Sequence, residues 1–533
     1  MFNKIKNSIN VVLLFLTAFL INFRIGLHVQ GDEDFLDAIV GFRFLETFDF
    51  RFLMTEPHNS IDFITLPFYY IFGAELSVLR FVQAIFVGLS VVFFFLFSQN
   101  YFKDKIKALF TSLLLISVPL FILTVYHPEF PFLGFFATLS LYLIQKTSKE
   151  GGFKKIILLG FIIGIASFKK AIFLPYGALT LILFFIINHK EAKRQFTEKN
   201  ITGLCLGFLV GFAPFLIHLG VMETDGSGAI ISSILRFPST FLENITYRLF
   251  QLGSLFSTPA RIYGEKVHFH NLALLNMFFL GISTLYLALK KNKIALLIIT
   301  PIAFTAASTI ELINSSLLET HLYILIPVVV FLICVGVFTL TDDLLHPLKK
   351  RGLFVGLFII TILILINGLN SYHIYRQKTE LDYSKLYMEI SKSLGGYTDE
   401  VSTVYDLTDP EDSPHWQLAI PFHSKLGLNY YSLHSKKYGL VPIRVLNEKS
   451  KEENVPTNLH SILDKTEKNE EFVILMVDYL NNKEPEFDIS EIENKISDGY
   501  VKVEILDDLE GVVSIIWMHE SRKKLIEEIK EFK

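Results

Sequence analysis

The amino-acid sequence predicts a polytopic α-helical membrane protein that ends in a smaller extramembrane α/β domain, and three observations predict it. Hydrophobic residues make up 51% of the 533-residue chain, with 52 Phe among them, and mean hydropathy is +0.44, above what a soluble domain of this length carries. Apolar segments recur between residues 9 and 370 at lengths suited to membrane crossing. Beyond about residue 371 the composition turns mixed polar, with short alternating runs of the kind that form strands. The net charge of −4 decides little, because in such a chain the placement of Lys and Arg is informative and the total is not. Cys205 and Cys334 both lie in apolar segments, so they read as small core residues and offer neither a disulfide framework nor a thiolate metal site.

The first apolar run, Ile9 to Ile21, follows Lys4 and Lys6 as a signal peptide would. It ends in Asn22, Phe23 and Arg24 rather than in small residues, so it is expected to be a retained span. Further segments fall at about 76–98, 106–126, 130–145, 156–168, 171–188, 201–221, 271–289, 294–313, 321–340 and 352–370, which with the first at 9–28 gives eleven crossings. The stretches 103–107, 146–155, 190–199, 290–293 and 346–351 are short and basic. Assigning all of them to the cytoplasm together with the N-terminus satisfies the positive-inside rule at every step, and it puts the C-terminus on the opposite, extracytoplasmic side of the plasma (inner) membrane.

The same rule makes 106–145 and 156–188 hairpins, since each is flanked by basic stretches. Their outer tips are "YHPEFP", with His127 and Glu129, and "SFKKAIFLP", with Lys169 and Lys170. The unusual polar residues are thereby expected on one side: Asp32, Glu33 and Asp34 of "GDEDF", Glu129, the two lysines, the loop 222–270 and the tip "NSSLLETH".

Segment 156–168 has 13 residues, about 20 Å of helix against roughly 30 Å of hydrocarbon, so its lysines are expected below the outer surface. A Lys at that depth costs about 2.5–3.5 kcal/mol and two together repel, which a lipid phosphate would compensate; snorkelling to headgroups is the alternative. The acidic cluster reads in two ways. It is either the solvated start of an interfacial helix, with Phe35, Ile39, Phe42 and Leu45 at helical spacing, or a general base at the mouth of a membrane cavity. Glu129 between two prolines is a second carboxylate for a sugar hydroxyl or a divalent metal, or a turn residue. His268 and His270 of "VHFH" share one side of an extended segment, a weak metal spacing. Arg80, and His321 with Tyr323, line the cavity or anchor the interface.

Taken in order, these motifs resemble the GT-C glycosyltransferases, specifically the family of protein O-mannosyltransferases and the lipid A aminoarabinose transferase. The Asp-Glu pair of the first outer loop is matched by Asp32 and Glu33 in "GDEDF", and the loop closes with the family-like "LPFYYIFGAELSVLRF". An outer acidic tip is matched by Glu129, the glycine-containing helix with its lysine by "GIASFKKAIFLP", and the Arg-Tyr segment running into proline by "HLYILIP". Departures are Glu129 where Asp is common, His321 where Arg is usual, and "EPHNSIDF" in place of Pro-Pro-Leu-Tyr. The resemblance covers about 1–370 and implies a GT-C transmembrane domain there. It further implies transfer of a sugar from a polyprenyl-phosphate-linked donor to a lipid, glycan or protein acceptor on the extracytoplasmic face. In that scheme Asp32 is the base of an inverting single displacement with Glu33 beside it, and Lys169 and Lys170 stabilise the departing phosphate. No organic cofactor is implied. A divalent cation is left open, with Glu129, His268 and His270 as weak ligand candidates.

Residues 371–533 are expected to form the extracytoplasmic α/β domain, which covers the cavity or chooses the acceptor: a helix in "YSKLYMEISKSL", strands in "VSTVYDL", "EFVILMVDYL", "YVKVEIL" and "GVVSIIWMH", and a charged closing helix. "DLTDPEDSPHWQLAIPFHSKLGLNYYS" is either a carbohydrate-facing or a packed irregular loop. No Gly-rich nucleotide loop and no basic patch for nucleic acid occurs. A transporter or lipid flippase is the alternative from another class, and the absence of an internal repeat and the gathering of charge at one face stand against it.

Overall fold

A computed structural model describes residues 2–26, 62–72, 76–122, 130–169, 173–195, 197–221, 273–307, 323–345, 349–380, 403–406, 429–432, 472–477, 492–494, 496, 499–507, 511–522 and 526–527. The helices are α1 (Phe2–Gly26), α2 (Asp62–Phe72), α3 (Leu76–Phe102), α4 (Lys105–Ser117), α5 (Pro119–Ile122), α6 (Phe130–Glu150), α7 (Phe153–Lys169) and α8 (Phe173–Ile187). They continue with α9 (His189–Gln195), α10 (Glu198–Val221), α11 (Ala273–Leu289), a 3-10 turn (Lys293–Ile298), α12 (Ile299–Ala307), α13 (Ile326–Leu344) and α14 (Lys349–Glu380). Among the described residues, four stretches are long and apolar enough to span a bilayer: Ile9–Gly26, Ser77–Phe102, Ile326–Leu344 and Arg351–His373. Shorter apolar helices lie at Phe173–Ile187, Leu275–Leu289 and Lys293–Ala303.

Most of the segments read as crossings fall on these helices, with instructive differences. The run 106–126 is interrupted at Val118, because Pro119 has no N–H to continue the ladder and its ring excludes the carbonyl four residues back. The interruption frees carbonyls inside an apolar unit, and side chains from other helices meet them: Ser371 Oγ of α14 donates to the Ser117 carbonyl at 3.0 Å, and Asn22 Nδ2 of α1 to that of Ile122 at 3.0 Å. These bonds tie α1, α4–α5 and α14 together. The run 294–313 begins as a 3-10 turn, capped by the Asn292 side chain, before α12 takes over. The last apolar run continues as helix to Glu380, well past residue 370.

Chain direction follows from the contacts. Phe15 packs against Gly88 and Phe19 against Phe81, so α1 and α3 run antiparallel. Helices α7 and α10 run parallel, since a Cβ at Gly160 would meet Leu204, and one at Gly164 would meet Phe208 and Phe212. Two parallel neighbours require a return between them, and α8 supplies it. Their packing is backbone to backbone: Cβ atoms at Gly207 and Gly211 would come within 2.1 Å of the Ile157 carbonyl oxygen and 2.3 Å of that of Phe161. This is the small-residue interface that lets membrane helices approach closely.

One end of this helical unit is ionic. Lys107 Nζ reaches Asp342 at 2.6 Å and lies 5.2 Å from the Phe338 ring centroid, while Asp343 takes Lys290 at 3.1 Å and the Tyr286 hydroxyl at 2.7 Å. The Asp343 carboxylate raises the pKa of Lys290, as expected for an ammonium gaining an anionic partner. Between the end of α6 and the start of α7, Lys155 bridges to Glu150 at 2.6 Å and holds that carboxyl below its usual range. These pairs bring the basic stretches 103–107 and 290–293 together with the end of α13.

The remaining described residues include a five-stranded mixed sheet: β1 (Thr403–Asp406), β2 (Asn429–Ser432), β3 (Phe472–Val477), β4 (Tyr500–Asp507) and β5 (Gly511–His519), in the order β2-β1-β3-β5-β4. β1 is parallel to β2 and β3, and β5 is antiparallel to β3 and β4. Ile515, Ile516, Trp517 and Met518 are buried in succession, as expected of an interior strand covered on both faces. Each of the four strand-like runs of the sequence is a strand. β2 falls inside the stretch read as an irregular loop, because an edge strand of four residues flanked by Asn and Ser carries too little alternation to register. The expected helix at 383–394 lies outside the described residues.

Candidate active site

Helix direction gathers several of the singled-out residues at the end of the helical unit opposite the Lys107–Asp342 pair. The chain leaves the ionic end along α1, α4, α7 and α10 and returns along α3, α6, α8 and α13. The C-terminal ends of α1 and α7 therefore lie with the N-terminal ends of α3 and α8.

Arg80 sits in the second turn of α3 at 1% exposure, and its Nη1 donates to Gln83 Oε1 at 2.9 Å. The i, i+3 spacing puts the amide on the same face of the helix, where it satisfies part of a cation withdrawn from water. Gln83 was not singled out from the sequence, although that spacing was the available signal. Tyr323 is buried between two rings, with Phe121 at 6.0 Å and 7° and Phe130 at 4.8 Å and 10°. Its hydroxyl rests over Gly134, where an added Cβ would lie 2.7 Å from the phenolic oxygen. The triple stack joins α5, the start of α6 and the approach to α13, so it fixes where the interrupted helix ends. Gly134→Ala is expected to cost about 1–3 kcal/mol through this clash, read as a lower thermal unfolding temperature in detergent. Adding Tyr323→Phe, which removes the phenolic oxygen, is expected to restore part of it.

Lys169 closes α7 at this end; α7 has 17 residues, about 25 Å of helix, somewhat longer than the apolar run alone suggests. Lys170, Asp32, Glu33, His127, Glu129, His268, His270 and His321 lie outside the described residues. Among the described residues no cluster of three His, Cys, Asp or Glu forms a metal site.

Residues 60–218 match the family model described as Dolichyl-phosphate-mannose-protein mannosyltransferase. The match runs from α2 through α10 and so includes Arg80, Gly134 and Lys169. That stretch, about 30% of the chain, is similar to the mannosyltransferase family. The fold of the chain is similar to that of ArnT from Cupriavidus metallidurans, both in the apo state and bound to undecaprenyl phosphate. In each comparison the TM-score is 0.60 at 12% identity, covering 95% of this chain and 97% of ArnT. No curated protein sequence matches the chain significantly.

Proposed function

We propose that the protein is a membrane glycosyltransferase of the GT-C type, which takes its sugar from a polyprenyl-phosphate carrier and transfers it to a lipid, glycan or protein acceptor on the extracytoplasmic face of the plasma (inner) membrane. The observation that carries the reading is the likeness over nearly the whole chain to ArnT, which was crystallised with undecaprenyl phosphate, together with a mannosyltransferase family match spanning Arg80 and Lys169. In the reaction, the acceptor oxygen attacks the anomeric carbon as its proton passes to Asp32. The bond from that carbon to the phosphate oxygen breaks, and the electron pair leaves with the polyprenyl phosphate. Lys169 and Lys170 stabilise the charge that develops there. One displacement inverts the anomeric carbon, and the phosphate leaves well enough that no separate acid is needed, unlike the paired carboxylates of glycosidases. Glu33 and Glu129 hold sugar hydroxyls or a divalent cation, and Arg80, His127, His321 and Tyr323 line the substrate cavity.

The proposed topology has eleven crossings in residues 1–370, the N-terminus in the cytoplasm and residues 371–533 as an extracytoplasmic domain that selects the acceptor. The ionic end of the helical unit, with Lys107 and Lys290, suits the cytoplasmic surface. The test is a transfer assay in proteoliposomes containing undecaprenyl-phosphate sugars labelled in the sugar, followed by separation of lipid, glycan and protein fractions. Label that moves from the carrier only with active protein supports the reading. Label that remains on the carrier for every sugar, with every acceptor fraction supplied, contradicts it.

A further inference from the structure

The helical unit carries a second feature at the end opposite the ionic pairs: a groove of about 820 Å³ between α1, α4–α5 and α14. Its volume is that of a small-molecule site. Its wall is apolar, with Leu20 of α1, Leu113 and Ile116 of α4 and Leu365 of α14, and it ends at Arg24, Tyr372 and Tyr375. Five properties say what it holds.

The groove is built. Its three walls are pinned by the Ser371 bond to Ser117 and the Asn22 bond to Ile122, so the gap is not loose packing. Its floor is made by an absent side chain, because a Cβ added at Gly368 meets no atom within 4 Å. It opens sideways, with Leu20 and Leu369 at 58% and 66% exposure, toward the surroundings these membrane-facing helices must have. Its length fits one leaflet: along α14 the lining runs from Ile364 to Tyr375, about 17 Å of helix against roughly 15 Å for half the hydrocarbon. A polyprenyl chain would overrun that length, whereas an acyl chain fills it. At the far end Arg24 supplies a cation with a planar donor face for phosphate, and two tyrosines supply the ring and hydroxyl pairing common at headgroup depth.

We infer that this groove binds an anionic phospholipid from the leaflet at that end, with the phosphate at Arg24 and an acyl chain lying over Gly368. The site is separate from the carrier site, since α7, which ends in Lys169, contributes nothing to its lining.

The experiment is native mass spectrometry of the full chain, delipidated and titrated with phosphatidylglycerol, phosphatidylcholine or undecaprenyl phosphate. Wild type is expected to take up one phosphatidylglycerol saturably, about fivefold or more tighter than phosphatidylcholine. Arg24→Gln is expected to remove that preference. Gly368→Leu places a side chain into the floor at a point where its Cβ has open space, so it is expected to abolish the adduct while thermal unfolding stays near the wild-type temperature. Undecaprenyl phosphate binding is expected to be unchanged in both variants. Phosphatidylglycerol bound equally by wild type and Gly368→Leu, or no tighter than phosphatidylcholine by wild type, overturns the inference. Loss of undecaprenyl phosphate in Gly368→Leu also overturns it, and makes the groove the carrier's seat. Failure of wild type to bind undecaprenyl phosphate, with the phosphatidylglycerol results as expected, contradicts the carrier reading instead and leaves this site standing.

Discussion

Asp32→Asn is expected to lower the turnover number for sugar transfer by about 10²–10⁴-fold while leaving the affinity for undecaprenyl phosphate unchanged. The proposed reaction asks one group to take the acceptor's proton as the new bond forms. An amide of nearly the same shape cannot take it. Binding of the carrier rests on other residues, so the loss falls on kcat and not on donor affinity. An interfacial helix that needs only a polar N-terminal side chain would be served almost as well by Asn, which caps helices as readily as Asp. Activity within about twofold of wild type would therefore leave Asp32 with the structural role and move the base elsewhere, with Glu33 the next candidate.

Gly207→Val carries the largest expected structural effect. Even a single methyl at this position would stand 2.1 Å from the Ile157 carbonyl oxygen, and the obstacle is the backbone of α7 rather than a rotatable side chain. Relief requires the two parallel helices to separate, which removes their mutual van der Waals contact. A loss of about 3 kcal/mol or more is expected, at the upper end of overpacking costs, measured by thermal unfolding in detergent. Because α7 ends at Lys169, its displacement is also expected to weaken carrier binding. Gly281→Ala is the control: an added Cβ there meets nothing within 4 Å, and the better helix propensity of Ala makes the change neutral or slightly stabilising. Equal effects from the two substitutions would mean that the α7–α10 contact does not hold the unit together.

Much of the helical architecture was legible in the sequence because apolar runs and basic stretches report membrane exposure directly. The hairpin around Lys169 and Lys170 follows from basic residues on both flanks, and the parallel run of α7 and α10 with α8 between them has that form. What periodicity missed was punctuation and tertiary approach. Pro119 marked the interruption between α4 and α5 but was overridden by the continuous hydropathy around it. The four-residue spacing of Gly160 with Gly164, and of Gly203, Gly207 and Gly211, was present in the chain, yet which faces meet depends on the fold. The groove over Gly368 had no sequence signature at all, since a glycine that opens a cavity reads the same as one that closes a contact. At the candidate site, Arg80 and Tyr323 stood out by their place at the outer starts of apolar segments. Gln83 and Gly134 did not, because their importance lies in what they touch.

The most direct measurement of the central claim is native mass spectrometry of the purified full chain titrated with undecaprenyl phosphate, comparing wild type with the Lys169→Ala, Lys170→Ala double variant. Saturable binding by wild type that weakens at least about tenfold in the variant is the predicted result, as expected when two cations that neutralise a phosphate in an apolar setting are removed. Wild type that binds no better than the variant contradicts the phosphate role of the lysines.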